Sequence, residues 1–389
     1  MEKLRECVEH VERNTLKSTR DALRNIYEIA TTVDSGTIEK YLREVSHPSS
    51  RYLLSLFLSC AYINEGKYAE ALELSQRTLR EMENVNTRAL DGVIAGLWST
   101  VRIAGNITDA NTLRDYLVGL SANREYQNVE SITVLVNNIL MYLRKKDMYD
   151  EAYTFLKHVE LPETADVGQA AVFYYLSSVV YLMAGEYSLG EKMVNLATVK
   201  STDSEFTKEC RKVHVLVSLH QGRHPNRAYF QKNPGLEVYQ RVLLSIKSCS
   251  LEVFCREVEE IKEELKKDGL YQAVVRLEAA VQKEHVRRIG VVYTRISLAS
   301  VGGMLGVSEE SAAFLLQKAI EEGAISGYIN RETREYLSLE KKPEIRTGLK
   351  IGEMLSIANN LTMLKKHEPI KKKSLEEMQT EMSYSEYQI

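Results

Sequence analysis

Prolines are scarce in this 389-residue chain, six in all, and tryptophan occurs once. So few helix breakers suit a chain that is almost entirely helical. Five cysteines (Cys7, Cys60, Cys210, Cys249, Cys255) lie scattered with no CxxC pair. They fit reduced thiols of a cytosolic or nuclear compartment better than a disulfide or zinc framework. Neither sign of charge dominates, with 51 Lys and Arg against 54 Asp and Glu, so the electrostatic footprint of bulk nucleic-acid binding is missing. No stretch is expected to reach the roughly 20 apolar residues that cross a bilayer. The opening MEKLRECVEH is charged where a secretory signal is apolar. A soluble protein of the cytoplasm and nucleus is expected.

Catalytic motifs are missing as well. There is no HExxH, no HxH followed by a downstream Ser and Asp, and no GxxxxGK[ST] phosphate cradle. His220 and His224 are four apart, but Gly222 and Pro225 break the helix they would share and no third ligand is near. Cys249 and Cys255 straddle apolar helix positions and read as core thiols. No enzyme, metal or cofactor is expected.

What the chain does have is internal repetition. AYINEGKYAEALELSQRTL, at 61–79, ends one apolar helix, turns at Gly66-Lys67 and restarts at Tyr68. Similar turns recur in AGNITDANTL, RKKDMYDEAYTFL, MAGEYSLGEKMV and HQGRHPNRAYF. With Tyr68, Ile107, Tyr149, Tyr187 and Pro225 as register marks, the period is about 40 residues, the size class of tetratricopeptide or HEAT helix pairs. Each pair carries an apolar stripe too wide to hide alone, so neighbours must stack. The 22 tyrosines read as knobs between stacked helices. Residues 1–50, with apolar spacing at Val8, Val11 and Leu16 and at Leu23, Ile26 and Ile29, form a helical cap closing at the breaker SHPSS. The repeat array then covers 51–267. Its last helix, LEVFCREVEEIKEELKK, sets Val258, Ile261 and Leu265 on one face. Another helix is expected from Leu270 to about Arg288.

Tyr293 to Leu339 spells a winged helix. Ile296 and Leu298 alternate as a short strand, Ala299–Leu305 forms a first helix, and Gly306 supplies the turn. Ser308 caps a second helix that carries Glu309 and Glu310 in its first turn and stops at Gly323. AISGYIN and REYLSLE then alternate as two strands around Arg331-Glu332-Thr333. In DNA-reading modules the second helix enters the major groove. Here Glu309, Glu310, Glu321 and Glu322 oppose Lys318 alone, and phosphates would repel it. The module reads as a joint between proteins, with a small sheet that a neighbour's strand can extend.

Two further segments are candidate surfaces. Between Cys210 and Leu236 no acidic residue occurs, while Arg211, Lys212, Arg223, Arg227 and Lys232 do. These stems either cover helix ends with their charges in water, or form a docking patch for an acidic partner. From Thr347 to Lys366, the residues Leu349, Ile351, Met354, Leu355, Ala358, Leu361 and Leu364 give a helix an apolar face too broad for lone exposure. It serves a bundle with other helices or folds back on its own winged helix.

A helical solenoid running into a winged helix is the arrangement of PCI domains. The run DGLYQAVVRLEAAVQKEHVRRIGVVYTRISLASVGGML resembles the non-ATPase regulatory subunit 3 family of 26S proteasome lid subunits. Asp268-Gly269, Tyr271, Arg276-Leu277, Val281, Arg287, Tyr293 and Arg295 to Ala299 carry the likeness. It continues through Lys318-Ala319-Ile320, Gly323, Ile325 and Ile329-Asn330, and upstream through Gly222, Pro225, Arg227 and Phe230. The likeness is good over roughly 210–340 and architectural before that. Ser300 stands where the family usually has an acidic residue, and Gly302-Gly303 is expected to loosen the first helix. Beside the family, a shorter start and a mixed instead of an acidic tail are expected, as in a streamlined version.

The resemblance implies a mainly α fold: a tetratricopeptide-like solenoid, a winged-helix part of the PCI domain at 268–342, a bundle helix at 343–366 and a tail at 367–389. It implies a non-catalytic, hetero-oligomeric scaffold in ubiquitin-dependent degradation, with no nucleic acid and no membrane. Its winged helix would join other PCI subunits of the lid through Arg295, Ile296, Ser297, Leu298, Ile325, Ile329 and Asn330. Its C-terminal helix would enter a bundle through Leu349, Ile351, Leu355, Ala358, Leu361 and Leu364. A small acidic disordered lid subunit makes the basic patch a place to look. The alternatives are a PCI subunit of the COP9 signalosome or of the translation initiation factor 3 complex, and a winged-helix DNA-binding regulator.

Overall fold

The computed structural model describes residues 2–13, 15–82 and 88–339. The expected bundle helix and tail lie outside the described residues. Two compact units, Met1–Val286 and Arg287–Ile389, divide the chain, later than the expected winged-helix start at residue 268.

The first unit opens with α1 (Glu2–Glu12), α2 (Leu16–Arg24), α3 (Ile26–Thr32) and α4 (Ser35–Glu44). Leu4, Cys7, Val8 and Val11 follow helical spacing and are buried, on a helix that packs against α5 (Pro48–Asn64). The SHPSS breaker is itself a helix start: Pro48 stands in the first turn of α5, where its missing N–H costs nothing and its fixed φ suits the helix.

Next come α6 (Tyr68–Met82), α7 (Asp91–Thr108), α8 (Leu113–Glu125), α9 (Val129–Lys145), α10 (Tyr149–Lys157), α11 (Val167–Ala184) and α12 (Tyr187–Lys200). α5, α7, α9 and α11 pack in series, with α6, α8, α10 and α12 laid against them. The serial helices have neighbours on several sides, so α9 buries Val134, Leu135, Val136, Ile139 and Leu140 almost without a polar face. α11 is by length and hydropathy able to cross a membrane, contrary to the expectation from sequence, yet 61% of it is buried inside the unit. Three register marks, Tyr68, Tyr149 and Tyr187, open helices. Ile107 does not. Asp109, in the left-handed conformation (φ 53°), ends α7 after Thr108, and the next helix restarts only at Leu113.

The unit continues through α13 (Ser204–His220), α14 (Arg227–Lys232), α15 (Glu237–Lys247), α16 (Leu251–Glu260), α17 (Lys262–Lys267), α18 (Tyr271–Val275) and the start of α19 (Glu278–Val292), whose residues from Arg287 onward belong to the second unit. The single helix expected over 251–267 is broken at Ile261 (φ −96°, ψ 7°), although Val258, Ile261 and Leu265 are buried as their spacing requires. The helix expected from Leu270 is likewise two. Cys249 is buried, but Cys255 is exposed, because α16 turns Phe254 and Val258 inward instead.

The second unit holds β1 (Arg295–Ser297), α20 (Leu298–Leu305), α21 (Glu309–Glu321), β2 (Gly327–Asn330) and β3 (Glu335–Ser338). The antiparallel sheet has the order β1-β3-β2, with Ile296 and Ile329 both opposite Tyr336. At the centre of that row Tyr336 is fully buried, its hydroxyl donating to the Ser326 carbonyl at 3.1 Å. Leu298 opens α20 instead of extending the strand, because the Ser297 side chain accepts from Ser300 N at 3.2 Å and caps the helix.

Candidate functional site

The helix-turn-helix is held by local chemistry. Gly306 (φ 67°) ends α20 in the left-handed conformation that glycine adopts freely. Ser308 Oγ accepts from Ser311 N at 3.2 Å and caps α21. Gly302 does not loosen this joint: a Cβ there would lie 2.8 Å from the Val307 carbonyl oxygen. The turn packs directly on its bare backbone, so Gly302 tightens the joint.

The seven residues expected at the winged-helix interface separate by burial. Ile296, Leu298 and Ile325 are core residues, 8%, 6% and 4% exposed. Ser297 is a helix cap, and Asn330 Oδ1 accepts from Glu332 N at 3.0 Å to hold the wing turn. Arg295 is exposed and bonded to Glu335 at 2.7 Å, which holds the Glu335 carboxyl below its ordinary range. Ile329 is half-buried beside an open cleft of ≈ 710 Å³ between α21 and the β2–β3 turn, together with Phe314, Arg331 and Arg334. Phe314 is 68% exposed, and Tyr328, Met304 and Leu339 are also exposed apolar groups of this unit. The sequence reading missed them. For Phe314 a signal exists: Ala312, Leu316 and Ala319 form the buried stripe of α21, and a large apolar residue off that stripe has no core to join.

Sheet edges and charge complete the surface. β1 and β2 are the outer strands of the sheet, and each presents a backbone edge of the kind that another strand can pair with. α21 carries Glu309, Glu310 and Glu321 against Lys318, and Arg334 lies 3.7 Å from Glu309. A duplex phosphate would meet carboxylates first.

The basic patch of the first unit does not act as one surface. Lys212 is only 15% exposed and bonds Glu209 at 2.7 Å and Asp268 at 2.8 Å. Arg223 pairs with Glu191, whose carboxyl is thereby held below its ordinary range. Arg227 and Lys232, on α14, are exposed, and Arg211 is half-buried near the Tyr229 ring. His220 faces inward, its Nε2 donating to the Ala273 carbonyl at 2.9 Å and its ring stacked on Tyr187. Among the described residues no three His, Cys, Asp or Glu side chains gather where a metal could bind.

A stack of paired helices, followed in the chain by a winged helix whose second helix is acidic, is the arrangement of a PCI-type subunit. Residues 2–239 match the family model described as PSMD3-like, N-terminal TPR repeats, and residues 258–335 match the PCI domain. The chain belongs to the PSMD3-like family. It is 24% identical over 330 residues to the probable 26S proteasome non-ATPase regulatory subunit 3 of Anopheles stephensi, covering 81% of this chain and 66% of that protein. To the 26S proteasome regulatory subunit RPN3 of Saccharomyces cerevisiae it is 27% identical over 271 residues, 64% of this chain and 51% of the other. The RPN3 of Encephalitozoon cuniculi is 23% identical over 240 residues, 62% of this chain and 61% of that protein. The chain therefore spans about half to two-thirds of these relatives' length.

Proposed function

We propose that the chain is a non-catalytic scaffold subunit of the 26S proteasome regulatory particle lid, supporting ubiquitin-dependent degradation in cytoplasm and nucleus. The observation that carries this reading is a PCI winged helix with an acidic second helix and exposed apolar residues beside it. Such a surface suits proteins and repels polyanions. The relatives' names, all of 26S regulatory subunits, favour the lid over the COP9 signalosome or translation initiation factor 3.

In this reading the winged helix joins neighbouring PCI subunits. The expected set changes in role: Arg295, Ile329 and Asn330 stand at the surface, whereas Ile296, Ser297, Leu298 and Ile325 shape it from within. The segment 343–366 supplies a bundle helix, and Arg211, Arg227 and Lys232 remain available to a small acidic lid subunit.

Affinity purification of the tagged chain tests the proposal. Co-isolation of proteasomal ATPases is expected; ribosomal subunits, or a salt-sensitive duplex-DNA complex, would replace it with one of the alternatives. Replacing Leu355, Leu361 and Leu364 together by Asp is expected to block incorporation into the lid, and normal incorporation would remove the bundle assignment.

A further inference from the structure

Between α6 and α8, over a floor made by α7, lies a cleft of ≈ 160 Å³. Leu79 and Met82 line it from α6, Ile94 and Trp98 from α7, and Val118 and Tyr126 from the α8 side. The floor is built around one contact: a Cβ on Gly119 would lie 2.4 Å from Cζ2 of Trp98, so only a residue without a side chain lets the indole sit there. The ring is further fixed edge-on to Tyr116, with centroids 5.9 Å apart.

Size restricts the occupant. A cavity of about 150 Å³ holds one benzene-sized group, whereas small-molecule and cofactor sites begin at about 300 Å³. The cleft therefore takes a single bulky side chain, and its outer wall, Val118, is itself 57% exposed. The rim supplies charge. Arg80 on α6 and Arg114 on α8 both line the cleft and are exposed, and neither has an ion-pair partner among the described residues. The carboxylate on the lining, Asp115, already accepts from Gln76 Nε2 at 2.8 Å. Two guanidinium groups with no ion-pair partner among the described residues, flanking an apolar socket, match a peptide whose apolar anchor stands between carboxylates.

We propose that this cleft docks an acidic peptide segment of a partner protein, seating one large apolar side chain against Trp98 with neighbouring carboxylates on Arg80 and Arg114. None of the winged-helix or basic-patch residues takes part, so the site stands or falls separately from the lid assignment.

Trp98 is the chain's one tryptophan, and its emission reports the cleft directly. The full chain is titrated with the blocked peptide Glu-Asp-Phe-Asp-Glu, with the same peptide carrying alanine for phenylalanine, and with a version carrying lysines for the acidic residues. A saturable change with the first is expected, with binding about tenfold or more weaker for the alanine peptide and for the lysine peptide. The double variant Arg80→Glu/Arg114→Glu, which alters exposed side chains only, keeps the helical circular dichroism and thermal midpoint but loses binding of the acidic peptide by a similar factor. An emission that stays unmoved up to about 1 mM peptide, equal binding of the lysine peptide, or full binding by the double variant overturns the proposal.

Discussion

Arg144 on α9 and Asp268, 124 positions later, are joined by a 2.9 Å hydrogen bond from the guanidinium Nη2 to the aspartate's backbone carbonyl. The Asp268 side chain is itself a node: its carboxylate accepts from the Tyr239 hydroxyl at 2.6 Å and from Lys212 Nζ at 2.8 Å. The next residue, Gly269, has φ +67°, and a Cβ there would come within 3.0 Å of the same guanidinium. One turn thus ties α9, α13 and α15 together after α17.

Removing the acceptor from such a node leaves a buried donor unsatisfied, which costs more than the hydrogen bond contributes. Asp268→Ala leaves the hydroxyl of buried Tyr239 without its acceptor and Lys212 with Glu209 alone, and is expected to destabilise the first unit by about 2 kcal/mol. Urea unfolding followed by Trp98 emission measures this. The double variant Asp268→Leu/Tyr239→Phe should recover much of the loss; a single-variant cost below about 1 kcal/mol would reduce the node to an ordinary surface pair.

Asp91, in the first turn of α7, has its carboxyl pushed up to about 6, first by burial and then by the charge of Glu130. With the folded pKa above the unfolded one, stability falls as pH rises from about 4 to about 6. Asp91→Asn is therefore expected to stabilise at pH 7.5 by about 1–2 kcal/mol, after discounting for partial exposure and for the favourable helix N-terminus. At pH 4 the gain should vanish. Equal unfolding midpoints at pH 7.5 would show that the carboxylate is well solvated.

Local chemistry was legible in the residues because its range is short. The caps Ser297 and Ser308, the turn at Gly306 and the stripe of Val258, Ile261 and Leu265 each depend on neighbours a few positions away. The site was less so. Lys212 looks like a free surface charge until Asp268, 56 positions on, arrives beside it, and Arg223 until Glu191 does. Ile296 and Leu298 were expected to meet a partner because their run carried the family likeness, whereas the fold uses them as core. The cleft over Trp98 depends on Gly119 meeting a residue of a different helix, which no periodicity encodes.

His220 gives the pH dependence the opposite sign. Burial lowers its pKa from the ordinary value, the Ala273 carbonyl only partly opposing that. The unfolded state then binds the proton more tightly, so stability is present above the unfolded pKa and declines as pH falls below about 6.5. The unfolding midpoint at pH 5.5 is expected to lie below that at pH 7.5. His220→Gln, which can still donate to Ala273, should narrow the gap; comparing the two proteins at each pH cancels the contribution of Asp91. An unchanged gap would assign the effect to other groups.

The winged helix offers the sharpest contrast between a residue that builds a surface and one that is the surface. Phe314 is 68% exposed, whereas Ile296 is 8% exposed and opposite Tyr336. A charge at an exposed site changes stability by about 0.5 kcal/mol or less, whereas a charge placed in a core unfolds it. Phe314→Asp is therefore expected to leave the thermal transition and the proteolysis pattern intact while weakening co-isolation with proteasomal subunits. Ile296→Asp should expose the second unit to protease and lose association only as a consequence. If Phe314→Asp assembles as well as the parent chain, the cleft beside α21 is ordinary surface, and joining must rely on the sheet edges at β1 and β2.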